Sequence, residues 1–185
     1  MNYIAEQITA NVAEQLCRQI TVDLPEWFGL PECNEHYAKG VRNCTNFAIR
    51  RDENYLGLLS LDFPYPKNSN IYWMGVLRQY HGQGLGHKLI QEAIRYSISQ
   101  SAITMTVETL APTESDTNYL NTYHFYEREG FNPLFNLKPS GYEWNMVYMA
   151  LDLCGLKKAA RKTLFHPRLI PASMIDYPTI QNMAR

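Results

Sequence analysis

Three glycines at alternate positions, Gly82, Gly84 and Gly86, stand in the run Arg78-Gln79-Tyr80-His81-Gly82-Gln83-Gly84-Leu85-Gly86-His87-Lys88. Such a loop leaves its backbone N–H groups uncovered by side chains. At the start of a helix those groups, with the positive end of the helix, make an anion site suited to a phosphate. Two familiar nucleotide loops can be set against it. GxGxxG begun at Gly82 needs glycine at 87, where His87 stands; GxxxxGK[ST] also needs glycine there, and Ser or Thr where Leu89 stands. Both fail. As plain structure, the same glycines would only let a helix and a strand pack closely. Cysteine chemistry has less support. Cys17, Cys33, Cys44 and Cys154 are widely spaced, form no CxxC pair and lie in no recognisable nucleophile context, so they read as reduced packing thiols. Cys33-x-x-His36 is too isolated for zinc, and no metal is expected.

The elements that would position the loop follow from periodicity. Residues 71–77 (IYWMGVL) read as a strand rich in aromatic and β-branched residues. Past the loop, Leu85, Leu89 and Ala93 form one ridge of a helix and Ile90, Ile94 and Ile98 the next, and residues 103–110 read as another strand. The unit is therefore β-α-β with glycines at the N-terminus of its helix. Upstream, Val12, Leu16 and Ile20 predict a helix over 9–20, and residues 31–41 a shorter one. Residues 45–50 and 55–63 read as strands joined by the polar turn Arg51-Asp52-Glu53-Asn54. Downstream, a helix over 117–129 ends at Gly130, and 131–137 and 145–153 are closing strands. The class is α/β with a mixed sheet.

A length of 185 residues, 45% hydrophobic and 19% charged, fits one domain with a sizeable core. The net charge of −1 gives no general footprint for nucleic acid, and no apolar run approaches the ~20 residues of a membrane span. The first residues, MNYIAEQITANVAEQ, lack a basic region followed by an apolar block, so a cytoplasmic protein is expected. From Leu151 onward six basic residues face two acidic ones, a net of +4 that leaves −5 for residues 1–150. That segment, with Pro167, Pro171 and Pro178, reads as a basic extension (153–185) to a domain over 1–152.

The loop His81-Gly82-Gln83-Gly84-Leu85-Gly86, followed by Phe125-Tyr126-Glu127-Arg128-Glu129-Gly130-Phe131 beyond an intervening strand, resembles the two motifs of the GNAT superfamily of acyl-coenzyme A-dependent N-acyltransferases. The resemblance covers residues 9–152, and the stretch WFGLPECNEHY is similar to a subgroup of small members. There are departures. His81 replaces the family's Arg or Gln, keeping a ring N–H donor without a fixed charge. The family's Asn seven residues before the motif tyrosine falls at Tyr119, with Asn118 beside it, and the link 111–116 is long. The catalytic Glu of some members matches a place near Asn70, which cannot be a base.

The resemblance implies a largely antiparallel mixed sheet, flanked by helices, whose central parallel strand pair splays apart. It implies acetyl-CoA as cosubstrate, the pyrophosphate on the amides of Gly82, Gln83, Gly84, Leu85 and Gly86 with His81 and His87 flanking. The pantetheine arm would lie along Met74, Gly75 and Val76, with Asn118 and Tyr126 also at the coenzyme. Gly75 suits that role because a missing side chain lets another backbone approach. Direct attack of a neutral amine on the thioester needs a base, a donor for the carbonyl oxygen and an acid for the leaving thiolate. Tyr126 takes the acid's place by resemblance. The base stays open among Glu108, His124, Glu26, Glu32 and a water chain. Trp27, Phe28, Tyr37, Tyr65 and Tyr72 are candidates for an aromatic acceptor pocket. The expected acceptor is a primary amine on a small molecule: aminoglycoside-like, polyamine or amino acid. The alternatives are a protein or peptide amine, or a non-catalytic acyl-CoA-binding sensor or assembly module. Dimers are common in the family, so a homodimer is compatible with the resemblance, and no residue here fixes the oligomeric state.

Overall fold

A computed structural model describes residues 3–156, and its centre is a seven-stranded sheet with helices on both faces. The strands are β1 (Ile4–Ile8), β2 (Thr45–Arg51), β3 (Asn54–Tyr65), β4 (Asn68–Val76), β5 (Thr104–Leu110), β6 (Asn132–Leu137) and β7 (Met146–Asp152), in the order β1-β2-β3-β4-β5-β7-β6. All neighbours are antiparallel except β4 and β5, which run parallel. The helices are α1 (Ala10–Asp23), α2 (Pro31–Gly40), α3 (Leu85–Ser99) and α4 (Thr117–Arg128). The mixed sheet and each predicted helix are thus present; β1 is the strand that sequence periodicity does not announce.

Two cores flank the sheet. One joins Phe47, Ile49, Leu59 and Leu61 to the α3 ridges Leu85, Leu89, Ala93 and Ile90, Ile94, and includes Tyr126 and Phe131. The other joins Ala48, Leu58 and Trp73 to Ala13, Leu16, Cys17 and Ile20 of α1. Burial on both faces explains why β3 reads as a nearly continuous apolar run rather than an alternation. Each fully buried Leu or Ile contributes about 1.5–3 kcal/mol relative to an exposed one.

The site is prepared by a break in this sheet. Ser60 pairs with Trp73 and Leu61 with Ile71, so Tyr72 is an extra residue, a β-bulge in β4. Pairing of β4 with β5 runs from Asn68↔Thr104 to Ile71↔Val107 and stops there. Beyond it, β4 stays with β3 through Val76↔Gly57, while β5 stays with β7 through Leu110↔Met146. The two halves of the sheet therefore part, as the splayed parallel pair requires. Asp116 caps α4, its carboxylate accepting from the N–H groups of Asn118 (2.8 Å) and Tyr119 (2.9 Å). The long 111–116 link is fastened by Glu114, whose Oε1 accepts from Asn145 N (3.0 Å) and Nδ2 (2.7 Å).

Among the described residues no helix is long and apolar enough to cross a membrane, and no cluster of three metal-ligating side chains occurs. β7 ends at Asp152. The basic extension beyond 156 lies outside the described residues.

Candidate active site

The glycine loop enters α3 in the way an anion site needs. Gly82 (φ +72°) and Gly84 (φ +76°) are in the left-handed region, which only glycine occupies freely, and a Cβ at either would meet nothing within 4 Å. The opening turn of α3 is bare: its first helical bond is Lys88 N to Gly84 O (3.1 Å), and the N–H groups of Leu85, Gly86 and His87 before it have no helical partner. No acidic residue lies in that first turn. Gly86 has a different reason: a side chain there would press on Phe125 (3.1 Å) and Met74 (3.3 Å), so it lets α3 approach α4 and β4.

The cleft between the parted strands has a volume of about 680 Å³ and runs from this loop to the α1–α2 side of the sheet. Of the residues expected at the coenzyme, Met74, Gly75, Val76, His81, Gly82, Gly84, Leu85, Gly86, His87 and Tyr126 line it. Gly75 does so for another cause than expected. Its missing Cβ makes room for Ile20 and Trp73, both 2.8 Å from where that atom would stand, so the glycine serves packing under α1. The His81 Nε2–H donates to Val76 O (2.6 Å), at the end of β4. His87 Nδ1–H donates to Glu129 Oε2 (2.9 Å), bridging the starts of the loop's helix and the end of α4.

Two expected residues do not line the cleft. Gln83 turns its side chain to Tyr3, whose hydroxyl donates to Oε1 (2.7 Å), and to Gln79 O (3.0 Å), leaving only its backbone in the loop. Asn118 serves α4's first turn through its backbone, and its neighbour Tyr119 reaches the cleft instead, donating its hydroxyl to Trp27 O (2.6 Å). Among the candidate bases, Glu26 is held below the usual carboxylate range by the Arg78 guanidinium (2.5 Å), and His124 Nδ1 bonds Glu127 (2.7 Å) on the exposed side of α4. Neither they nor Glu32 line the cleft; Glu108 does. Asn70, at the place of the missing glutamate, donates to Asp62 Oδ1 (2.9 Å) and accepts from Thr106 Oγ1 (3.0 Å), a tie across three strands.

Tyr126 and Glu108 come to the cleft from opposite faces. Tyr126 belongs to the core under α3, its ring edge-on to Phe125 and Phe131, and burial raises its pKa above the ordinary value. Val107 belongs to that same core, so by strand alternation Glu108 faces the α1–α2 side. There Trp27, Phe28, Tyr37 and Tyr72 form the aromatic wall expected of them, whereas Tyr65 is 72% exposed at the far end of β3. Tyr119, Tyr142 and Trp73 complete it. Sequence reading missed these three, and only the turn Pro139-Ser140-Gly141 before Tyr142 (Gly141 φ +77°) hints that this tyrosine is aimed. Trp27 fastens the wall to α4, its Nε1–H donating to Thr122 Oγ1 (3.1 Å). Burial pushes the Cys17 and Cys44 thiols up to about 12, which suits packing rather than nucleophilic attack.

The geometry has counterparts. A structure described as that of a putative acetyltransferase of the GNAT family from Desulfovibrio desulfuricans superposes with a TM-score of 0.70 at 18% identity, over 82% of this chain and 99% of that one. The aminoglycoside 6'-N-acetyltransferase from Enterococcus faecium gives 0.62 at 17% identity, over 81% and 97%. A GNAT family acetyltransferase from Elizabethkingia anophelis with acetyl-CoA bound gives 0.60 at 13%, over 82% and 98%. No curated protein matches the chain. The profile of the acetyltransferase (GNAT) family matches residues 14–131, which contain the glycine loop, the parted strands and Tyr126. That match spans well over half of the sequence, and the chain belongs to the acetyltransferase (GNAT) family: it is an acyltransferase.

Proposed function

We propose that the protein transfers the acetyl group of acetyl-CoA directly to a primary amine on a small molecule. The observation that carries this reading is one continuous cleft that starts at a bare helix N-terminus, follows the unpaired edge of β4 and opens on the other face of the sheet at Glu108. The acetyl-CoA held by the Elizabethkingia relative supports the same use of the cleft. The residues fit that cosubstrate: the amides from Gly82 to His87 suit a pyrophosphate, and the free edge of β4 at Met74 to Val76 suits an extended amide-bearing arm.

The chain's own groups then divide the work. An amine with a pKa of about 10.4 must lose a proton, which at pH 7 costs about 4.6 kcal/mol. Glu108 receives that proton and passes it to solvent. A strand N–H on the free edge of β4 stabilises the charge that grows on the carbonyl oxygen. The amine nitrogen bonds to the carbonyl carbon and gives up its second proton to solvent, the carbon–sulfur bond breaks, and the Tyr126 hydroxyl gives its proton to sulfur and recovers one from solvent. The products are an amide and a free thiol.

The test is thiol release from acetyl-CoA against a panel of small amines, peptides and proteins. Release that depends on one amine class supports the reading. Tight acetyl-CoA binding with no amine-dependent release across the panel would favour a coenzyme-binding module.

A further inference from the structure

The acceptor half of the cleft carries one formal charge. Of the ionisable groups that line the cleft, Arg128 and Glu129 stand at the end of α4, with His87 bonded to Glu129 at the start of α3, and His81 is bonded to β4 beside the glycine loop. Arg128, Glu129 and His87 belong to the coenzyme end, and His81 stands between the two halves, its ring edge-on to Trp27 (5.9 Å). On the other face the wall is aromatic: Trp27, Phe28, Tyr37, Trp73, Tyr119 and Tyr142, with Glu108 among them. Glu108 is exposed to the cleft, and its charge is felt by Tyr37, Tyr142 and, across the β5–β7 register, Tyr148. Burial raises the phenols of Tyr37, Tyr119 and Tyr142, so they stay neutral at pH 7 and add ring faces and oxygens but no charge. Phe28 stacks on Trp73 (centroids 5.4 Å apart, planes at 30°) and meets Tyr37 edge-on (6.2 Å), so the three rings form one packed aromatic wall.

We propose that the acceptor is a monocationic arylalkylamine-type primary amine, its ammonium set against Glu108 and the tyrosine faces and its flat apolar body held by the Phe28–Trp73 wall. This rests on the reading that the Glu108 face receives the amine. Ammonium groups bind well over aromatic faces, and a single carboxylate balances a single charge. A polycation would bury further charges with no partner, and an amino acid would bring its carboxylate to a wall that holds no lysine or arginine and a carboxylate already. Size points the same way. A cleft of about 680 Å³ lies within the usual range for one small ligand, yet it must also admit the coenzyme's arm, which leaves room for a small body.

The experiment is calorimetric titration of the full chain, without acetyl-CoA, with 2-phenylethylamine, phenylalanine and spermidine, alongside thiol release with each. Phenylethylamine is expected to bind about tenfold or more tightly than either rival. Glu108→Gln should remove most of that preference while acetyl-CoA affinity stays within about twofold, which also reports that the variant folds. Tyr142→Leu should weaken phenylethylamine by removing one ring face. Equal or tighter binding of spermidine or phenylalanine overturns the proposal, as does a failure of phenylethylamine to bind. Binding in the expected order without thiol release would instead overturn the transfer reading, and release with an acceptor of another class would keep transfer and discard this acceptor.

Discussion

Tyr126→Phe separates chemistry from folding. Tyr126 is 6% exposed, its surroundings are the rings of Phe125 and Phe131, and burial alone accounts for its raised pKa. Its hydroxyl therefore has no protein partner to lose among the described residues. Removing a hydroxyl that contributes no hydrogen bond should leave stability within about 0.5–1 kcal/mol of the parent, and on the favourable side if it matters. The kinetic effect should be much larger. A proton donor to the leaving group contributes about 100-fold or more, or about 2.7 kcal/mol of barrier. The phenol, held above its ordinary pKa, is a weaker acid than the thiol it serves, at about 8.5. It acts by donating as sulfur gains charge, and it remains protonated throughout the working range. Turnover of the parent should accordingly rise with pH as the amine deprotonates, with no loss assignable to Tyr126 near neutrality. Urea unfolding, acetyl-CoA titration and steady-state thiol release on both proteins check the claim. A variant that keeps kcat within about threefold of the parent, with unaltered folding, would refute the assignment of Tyr126 as the acid.

Other outcomes follow from parts remote from the chemistry. Asp116→Ala removes both capping bonds at α4 and should cost about 1 kcal/mol in urea unfolding, with a raised KM for amine because Tyr119 loses its anchor. Glu35 is held down to about 2 by Arg18 and then Lys39, in the exposed clasp between α1 and α2. Its folded pKa is depressed, so its stabilising effect is complete above the ordinary 4.5 and is lost as pH falls toward 2. The unfolding midpoints of parent and Glu35→Gln should therefore differ at pH 6, converge by pH 2, and converge also in high salt. Cys17 and Cys44, with thiols pushed up to about 12, should escape alkylation at pH 8 in the folded protein and label only on unfolding, as peptide mass spectrometry would show.

What could be read in advance was whatever depends on local spacing. The two ridges of α3 repeat at helical intervals, and the glycine loop and the segment from Phe125 to Phe131 are each contiguous, so the coenzyme end was legible. β1 was not. It is a five-residue edge strand whose place is fixed by backbone bonds to β2, and its Ile4 is 40% exposed, so no apolar alternation marks it. The acceptor half was legible only in part. Trp27, Trp73, Glu108, Tyr119 and Tyr142 come from five separate elements or loops, and only the sheet order brings them together. Gly75 and His81 teach a further point. Both sit where the motif placed them, yet each answers first to packing or to a strand carbonyl, demands that a motif does not encode.

One residue ties the opening of the sheet to the shape of the acceptor pocket. Tyr72 is the bulge that ends β4–β5 pairing, and its ring reaches under the last turn of α2. A Cβ on Gly40 would lie 1.9 Å from the Tyr72 hydroxyl oxygen and 2.5 Å from Cζ, distances no packed structure tolerates. Gly40→Ala thus sets two effects against each other. Replacing a helical glycine gains about 0.5–1 kcal/mol, whereas overpacking costs about 1–3 kcal/mol, and the contact is close enough for the second to prevail. The ring has to move, and because it lines the cleft its movement reshapes the aromatic wall. The expected result is a raised KM for amine with acetyl-CoA affinity kept, since the glycine loop lies at the other end of the cleft. Unchanged amine kinetics in Gly40→Ala would show that Tyr72 shapes the sheet without shaping the acceptor pocket.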